Sequence, residues 1–281
     1  MTWGEKEKVA LAAIKEWEKT LATYERNNHG QTVCSRWVEE SFTRLPAKRQ
    51  EQFFQKLDNW VFQLYSFIQS TPHYDEARDH VLTAGRTFDP SIQSIPDMEK
   101  LPIDQLQLLV KQHLSSHRVY ALIQGGMTGT GKPLAITTDI PILIAIHLRS
   151  ILICAMIYGI NVQSPVEIIT SLKIFYAATQ PKYRMLHGWN DLLAEMEKMG
   201  DYFYVGSERL SSSSCLHETL KQLLKLLFVI RLKQSKLGRF FPLLPIGVSA
   251  GVNYQLTRKI TIFADKYYQL RYLLNKKGAL L

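Results

Sequence analysis

The chain has 281 residues, 46% of them hydrophobic and 21% charged, with a formal net charge of +9. These fractions are close to globular averages, which excludes a disordered chain and a polytopic membrane protein. A chain of this length can bury a large core without disulfides or metals.

The cysteines and the first residues bear on location. Cys34, Cys154 and Cys215 are odd in number and widely spaced, with no C-x-x-C pair or zinc-type cluster. Charged helical sequence follows Met1 at once, without the apolar run of a secretory signal. Both features predict a reducing, cytoplasmic location.

Amphipathic helices are predicted in the N-terminal quarter, because apolar residues recur there at steps of three and four. They cover Glu5 to Asn27, Val33 to Leu45 and Ala47 to Ser70. Residues 71–101 lose this periodicity and collect prolines and turn-forming residues. We therefore predict a long loop or hinge at 71–101, inside a single domain spanning 1–281. Another helix is expected from near Pro102.

Residues 139–160 are almost continuously apolar. Asp139 is suited to an N-cap, and Gly159 is a typical helix stop. The length nearly reaches the roughly 20 apolar residues of a spanning helix. His147 and Arg149 lie at its middle, however, where an arginine costs a few kcal/mol in a bilayer. We predict a buried core helix rather than a spanning one.

Helical patterns continue to the end of the sequence, and no stretch alternates for long enough to build a sheet. The predicted helices cover Val166 to Thr179, Lys182 to Met199, Leu216 to Ser235 and Leu243 to Asn275. The predicted fold class is therefore all-α: a multi-helix bundle with a long, buried, apolar central helix.

The excess positive charge lies in the last quarter of the chain. From Cys215 onward there are 12 basic residues against two acids, Glu218 and Asp265, whereas the first 214 residues hold 22 basic residues and 23 acids. Such a one-sided basic segment indicates an anionic partner, either lipid headgroups or nucleic acid.

The helix predicted over Leu216 to Lys236 carries leucines on one face and lysines on the other, a pattern that suits the surface of an anionic bilayer. The candidate membrane-binding residues are Lys221, Lys225, Lys233, Lys236, Arg239, Phe240 and Phe241. The rings of Phe240 and Phe241 could insert at headgroup depth. The alternative is that the leucine face is core and the lysine face is solvated.

Five polar residues lie in or beside apolar helices: Asp139, His147, Arg149, Asn253 and Asp265. A buried polar group without a partner costs about 1 to 3 kcal/mol. They are therefore predicted to form an internal ion-pair or capping network. The alternative is a ligand or active site near Asp139, Arg149 and Asn253.

No catalytic motif is complete. Residues 126–133 resemble a phosphate loop, but Pro133 replaces the hydroxyl that would bind Mg²⁺. Cys215 and His217 are two residues apart and face away from each other on a helix. The histidines show no metal-ligand spacing. We therefore assign no catalytic residue, metal or cofactor.

The order of several short motifs is similar to that of the EcsC family, bacterial proteins often encoded beside an ABC transporter implicated in protein secretion. These motifs are Gly125-Gly126, Thr138-Asp139-Ile140-Pro141, Leu148-Arg149, Tyr158-Gly159 and the segment Gly247 to Asn253. The resemblance covers Glu5 to Leu274 and implies an address near a membrane transporter, without a reaction.

Together these features predict a non-enzymatic accessory protein at the cytoplasmic face of the cell membrane, with an anionic bilayer and, through the resemblance, an ABC transporter as partners. One alternative is a hydrolase of unrecognised type. Another is nucleic-acid binding through C-terminal tyrosines that stack on bases between basic residues. These are Tyr254, Tyr267, Tyr268 and Tyr272 with Arg258, Lys259, Lys266 and Arg271. No nucleic-acid recognition module is evident.

Overall fold

The structure is a computed structural model that describes residues 3–26, 40–69, 71–113, 135–202, 219–228 and 245–278. Within these ranges every regular element is a helix and no strand occurs. The predicted all-α fold class is confirmed.

Nine α-helices of ten or more residues and one 3₁₀-helix lie in the described ranges. They are α1 (Glu5–Arg26), α2 (Ala47–Gln69), α3 (Thr71–Arg86), the 3₁₀-helix (Ile95–Lys100), α4 (residues 103–113), α5 (Ala135–Ile157), α6 (Pro165–Thr179), α7 (Lys182–Tyr202), α8 (residues 219–228) and α9 (Pro245–Lys277). Residues 40–43 are also helical. The helices predicted from Glu5, Ala47 and Lys182 begin where expected, since periodicity and punctuation agree there.

Helix α5 lies at the centre of the bundle and packs against α2, α3, α6, α9 and the 3₁₀-helix. Ile144, Leu148 and Ile151 are completely buried. This confirms the predicted buried central helix. None of the helices in the described ranges combines the length and the hydropathy needed to cross a membrane.

The loop predicted at 71–101 is wrong over most of its length. Residues 71–86 form α3, and residues 95–100 form the 3₁₀-helix. Pro72 and Pro96 lie in the first turns of these elements, where a missing backbone N–H breaks no intrahelical bond. Pro72 and Pro96, which were interpreted as helix-breaking residues, therefore lie at the starts of helices. Only residues 87–94 connect the two elements.

The start of α5 also differs from the prediction. The helix begins at Ala135, so Asp139 lies inside it rather than at its N-cap. Packing of a long apolar helix outweighs a local capping preference. The C-terminal stop is confirmed, because α5 ends at Ile157 and Gly159 adopts a φ of +82°.

We expect Gly159→Ala to lower the free energy of unfolding by about 2 kcal/mol, since a left-handed residue other than glycine costs about 1 to 2 kcal/mol and the new Cβ would collide with the Glu99 side chain. Gly278 is a matched control, because its φ is +70° but no atom lies within 4 Å of the position that an alanine Cβ would take. Gly278→Ala should cost only this backbone contribution, about 1 kcal/mol. Urea unfolding of both variants measures the difference, and equal losses would contradict the contact with Glu99.

Candidate functional site

Helix α9 carries much of the basic segment, and it packs against α1, α5 and α6. Its buried and exposed positions therefore decide which C-terminal cations can meet a partner. One of the polar residues predicted in α5, His147, also contacts α9.

His147 joins α5 to α9 in the core. Its Nδ1 lies 2.7 Å from the Leu143 carbonyl oxygen and its Nε2 lies 3.0 Å from the Thr257 hydroxyl. Because a carbonyl can only accept, Nδ1 carries a proton, and in the neutral ring Nε2 therefore accepts from Thr257. The ring stacks on Phe175 with 5.2 Å between centroids. Both nitrogens thus have partners, and the contact with Thr257 and the stacking on Phe175 join α5 to α9 and α6.

Asp265 is the second described member of the predicted polar network. The Tyr158 hydroxyl donates to its carboxylate at 2.7 Å, again linking α9 to the end of α5. Burial, with the nearby Asp265 charge, raises the pKa of Tyr158 well above its ordinary value. The phenol is therefore a neutral donor at physiological pH.

Arg149 does not belong to this network. Its side chain is 29% exposed, and its Nη2 lies 2.8 Å from the Glu76 carboxylate of α3. Residues two apart on a helix face different directions, so Arg149 and His147 do not meet. The predicted ion pair of Arg149 with a carboxylate is confirmed, but the pair is partly exposed, so its place in a buried network is wrong. The side chains of Asp139 and Asn253 lie outside the described residues, so their convergence with Arg149 stays a prediction.

The leucine face of the basic segment is core. The described leucines of α8 are all at most 1% exposed: Leu220, Leu223, Leu224, Leu226 and Leu227. Lys225 is only 7% exposed, and its Nζ lies 5.4 Å from the centroid of the Phe42 ring. The assignment of Lys225 to membrane contact is therefore wrong, because the bundle itself covers this helix.

Lys221 is the one other candidate membrane residue in the described ranges, and it is partly exposed. The remaining candidates, Lys233, Lys236, Arg239, Phe240 and Phe241, lie outside those ranges and stay predictions. Residues 126–133 and the pair Cys215 and His217 also lie outside them.

Some cations of the C-terminal segment form ion pairs with acids that precede Cys215 in the sequence. Arg271 lies 2.6 Å from Glu167 of α6 in a pair whose side chains are 14% and 6% exposed. Lys276 lies 2.8 Å from Glu7 of α1. The segregation of charge along the sequence is therefore partly cancelled in space.

The tyrosines proposed to stack on nucleic acid are mostly core residues. Tyr267 and Tyr268 are 0% exposed and Tyr272 is 1% exposed. Tyr254 is partly exposed. The stacking prediction is wrong for the three buried rings, which pack against the bundle instead.

Sequence reasoning missed a basic cluster where α6 turns into α7. Lys259 of α9 donates to the main-chain oxygen of Gln180 at 2.9 Å. Lys182 and the buried Arg184 lie in the first turn of α7, which contains no acid. We call Gln180, Lys182, Arg184 and Lys259 the junction cluster. Two cations at a helix N-terminus are unfavourable next to the positive end of the helix dipole. This unusual placement of Lys182 and Arg184 was the feature of the sequence that could have indicated the cluster.

Lys259 should make the stability of the protein depend on pH. Burial, and secondarily the charge of Lys182, lowers its pKa from 10.5 to about 8. Between these values the unfolded chain binds more protons, so the contribution of Lys259 to stability rises with pH. We expect wild type to gain about 2 to 3 kcal/mol relative to Lys259→Met between pH 7 and 10.5.

Paired urea unfolding of wild type and Lys259→Met, in chloride buffers across that range, measures this gain. Comparison with the variant cancels the titration of the buried tyrosines. A difference that does not change with pH would contradict the lowered pKa.

The described ranges contain no candidate metal site and no thiol suited to nucleophilic attack. No group of three or more His, Cys, Asp or Glu side chains there could hold a metal ion. Cys154 is a buried free cysteine whose pKa is raised, first by burial and then by Asp265. Such a thiol is a poor nucleophile.

The fold and these contacts define an all-helical protein in which buried or partly buried polar pairs such as His147–Thr257 and Glu167–Arg271 join neighbouring helices. The model of the EcsC protein family matches residues 8–273. The chain therefore belongs to the EcsC protein family, and the resemblance noted in the sequence is confirmed.

A curated relative is the "Uncharacterized protein YdbA" of Bacillus subtilis (strain 168), which is 24% identical over 170 residues. The match spans 58% of this chain and 58% of the relative. No solved structure matches the chain.

Proposed function

We propose that the protein is a non-enzymatic accessory protein that docks on the anionic cytoplasmic surface of the cell membrane through cations of its C-terminal segment. The observation that carries the proposal is the segregation of charge, with 12 basic residues and two acids from Cys215 onward. Near an anionic leaflet each such residue contributes about 1 kcal/mol.

The burial of the described residues supports one mode for the proposed docking. The α8 leucines are core, so the described part of the segment offers no apolar face to lipid. Arg258 is exposed and Lys221 is partly exposed. The mode supported is therefore electrostatic attachment, with Phe240 and Phe241 as the remaining candidates for insertion. Because proteins of this family are often encoded beside an ABC transporter, such a transporter is the membrane partner that this proposal includes.

The test is flotation with neutral and with anionic liposomes at low and high salt. We expect flotation with anionic vesicles at low salt and its loss at high salt, because salt screens exposed charges. Replacing Lys233, Lys236 and Arg239 by glutamine should weaken binding at least tenfold at low salt.

A matched control removes three exposed cations from α1 by replacing Lys8, Lys15 and Lys19 with glutamine. This variant has the same net charge as the C-terminal one, and its binding should change little. Equal weakening in both variants would show that net charge alone matters. Failure of wild type to float in every condition would refute the proposal.

A further inference from the structure

The junction cluster lies where three helices meet. Gln180 is the C-cap of α6, Lys182 begins α7, and Lys259 reaches across from α9. Lys182 is exposed and donates to the Tyr24 hydroxyl of α1 at 3.2 Å. The cluster thus has a buried end at Gln180 and an open end at Lys182.

The buried end has hydrogen-bonding capacity beyond its contacts with the protein. The Lys259 ammonium has three donor hydrogens, and the Gln180 carbonyl engages one of them. The Gln180 side chain is 0% exposed, and neither of its amide atoms has a hydrogen-bond partner in the described part of the chain. A buried polar group left in this way costs about 1 to 3 kcal/mol. Both groups belong to one position in the fold, because the Gln180 side chain branches from the residue whose carbonyl oxygen Lys259 binds.

The electrostatics of the cluster favour a negative charge. Lys182 and Arg184 lie in the acid-free first turn of α7, where the helix dipole is positive. The charge on Lys182 also lowers the pKa of Lys259, an effect that a bound anion would reverse. Capping of α6 by Lys259 accounts for one N–H of the ammonium, but it does not account for the buried amide or for the repelling cations.

We propose that the junction cluster is a binding site for a phosphate group, held by the Lys259 ammonium and the Gln180 side-chain amide, with Lys182 at its open end. The tetrahedral oxygens of a phosphate accept from both donor types, and charge-assisted hydrogen bonds are stronger than neutral ones. The proposal does not rest on the membrane docking proposed above, because it is argued from the contacts of Lys259 and Gln180 and not from the segregation of charge along the chain. The phosphate can belong to a soluble molecule or to a lipid headgroup.

Calorimetric titration with inorganic phosphate at pH 7 and constant ionic strength tests the site. Wild type should bind saturably with one site. Gln180→Met keeps the length of the side chain and Lys259→Met shortens it by one atom; each removes the donors and should weaken binding at least tenfold. Lys266→Met is the matched control, because it makes the same change two turns further along α9, and its affinity should equal that of wild type.

Circular dichroism confirms that each variant is folded before titration. Absence of saturable phosphate binding by wild type, or equal binding by all four proteins, would overturn the proposal. A folded Gln180→Met variant keeps the test decisive even if Lys259→Met fails to fold.

Vesicles distinguish the two sources of phosphate. Phosphatidic acid presents a phosphomonoester, and phosphatidylglycerol presents a phosphodiester. A preference for phosphatidic acid that Lys259→Met abolishes would assign the site to a lipid headgroup. Loss of phosphate binding without any change in vesicle binding would assign it to a soluble ligand and leave the electrostatic docking of the basic segment intact.

Discussion

Replacing Arg271 with methionine is expected to lower the free energy of unfolding by about 3 to 5 kcal/mol, because it leaves a buried carboxylate without its cation. Arg271 lies 2.6 Å from Glu167, and the two side chains are 14% and 6% exposed. The second carboxylate oxygen of Glu167 is buried without a hydrogen-bond partner in the described ranges, so no other donor compensates there. Urea unfolding measures the loss.

The double variant Arg271→Met with Glu167→Leu should recover most of this stability, since apolar replacement of a buried pair is often neutral. A small deficit should remain, because Glu167 also lies in the first turn of α6, where a negative charge is worth about 0.3 to 1 kcal/mol. Lys173 and Glu195 form a more exposed control pair, at 26% and 38%, and Lys173→Met should cost about 1 kcal/mol or less. Equal costs for Arg271→Met and Lys173→Met would refute the difference in burial.

Trp189→Ala should lower the free energy of unfolding by about 3 to 5 kcal/mol, the usual cost of deleting a buried tryptophan side chain. Trp189 is 1% exposed. Its ring makes edge contacts with Trp17 and Phe263 at 4.9 and 5.5 Å between centroids. The indole N–H also donates to Glu18 at 2.7 Å, so the residue joins α7 to both α1 and α9.

One further variant separates the hydrogen bond of Trp189 from its ring packing, and a second provides an exposed control. Trp189→Phe keeps an aromatic ring and loses the bond to Glu18, so it should cost about 1 to 2 kcal/mol. Phe54 is 50% exposed, and Phe54→Ala should cost about 1 kcal/mol or less. Chemical denaturation followed by circular dichroism gives all three values. A cost for Trp189→Ala as small as that for Phe54→Ala would show that this aromatic cluster is not a centre of the core.

The sequence predicts the helices well where periodicity and punctuation agree. The end of α5 is an example, because a glycine with positive φ follows an apolar run. It fails at Pro72, because the same proline that breaks a helix interior is favoured in a first turn. Which role applies depends on the apolar residues downstream, here Ala77 and Val81, which α3 buries.

The site was less predictable, because contact across the fold decides it. A leucine face fits a bilayer and a core equally well from its spacing, and the bundle that covers Leu223 and Leu227 settles the matter in the described part of α8. Lys259 and Gln180 are 79 residues apart, so no local motif joins them. Arg271 and Glu167 are still farther apart in the sequence, and counting charges along the chain could not reveal their pairing.

The packing of α5 against α9 has a consequence for biosynthesis. Helix α5 ends at Ile157 and α9 begins at Pro245. At roughly 5 to 20 residues per second, a ribosome needs on the order of ten seconds to make the intervening chain. During that time the apolar surface of α5 that α9 covers has no intramolecular cover from α9. The nascent chain is therefore a natural client for chaperones that hold exposed apolar helices until translation reaches their partner.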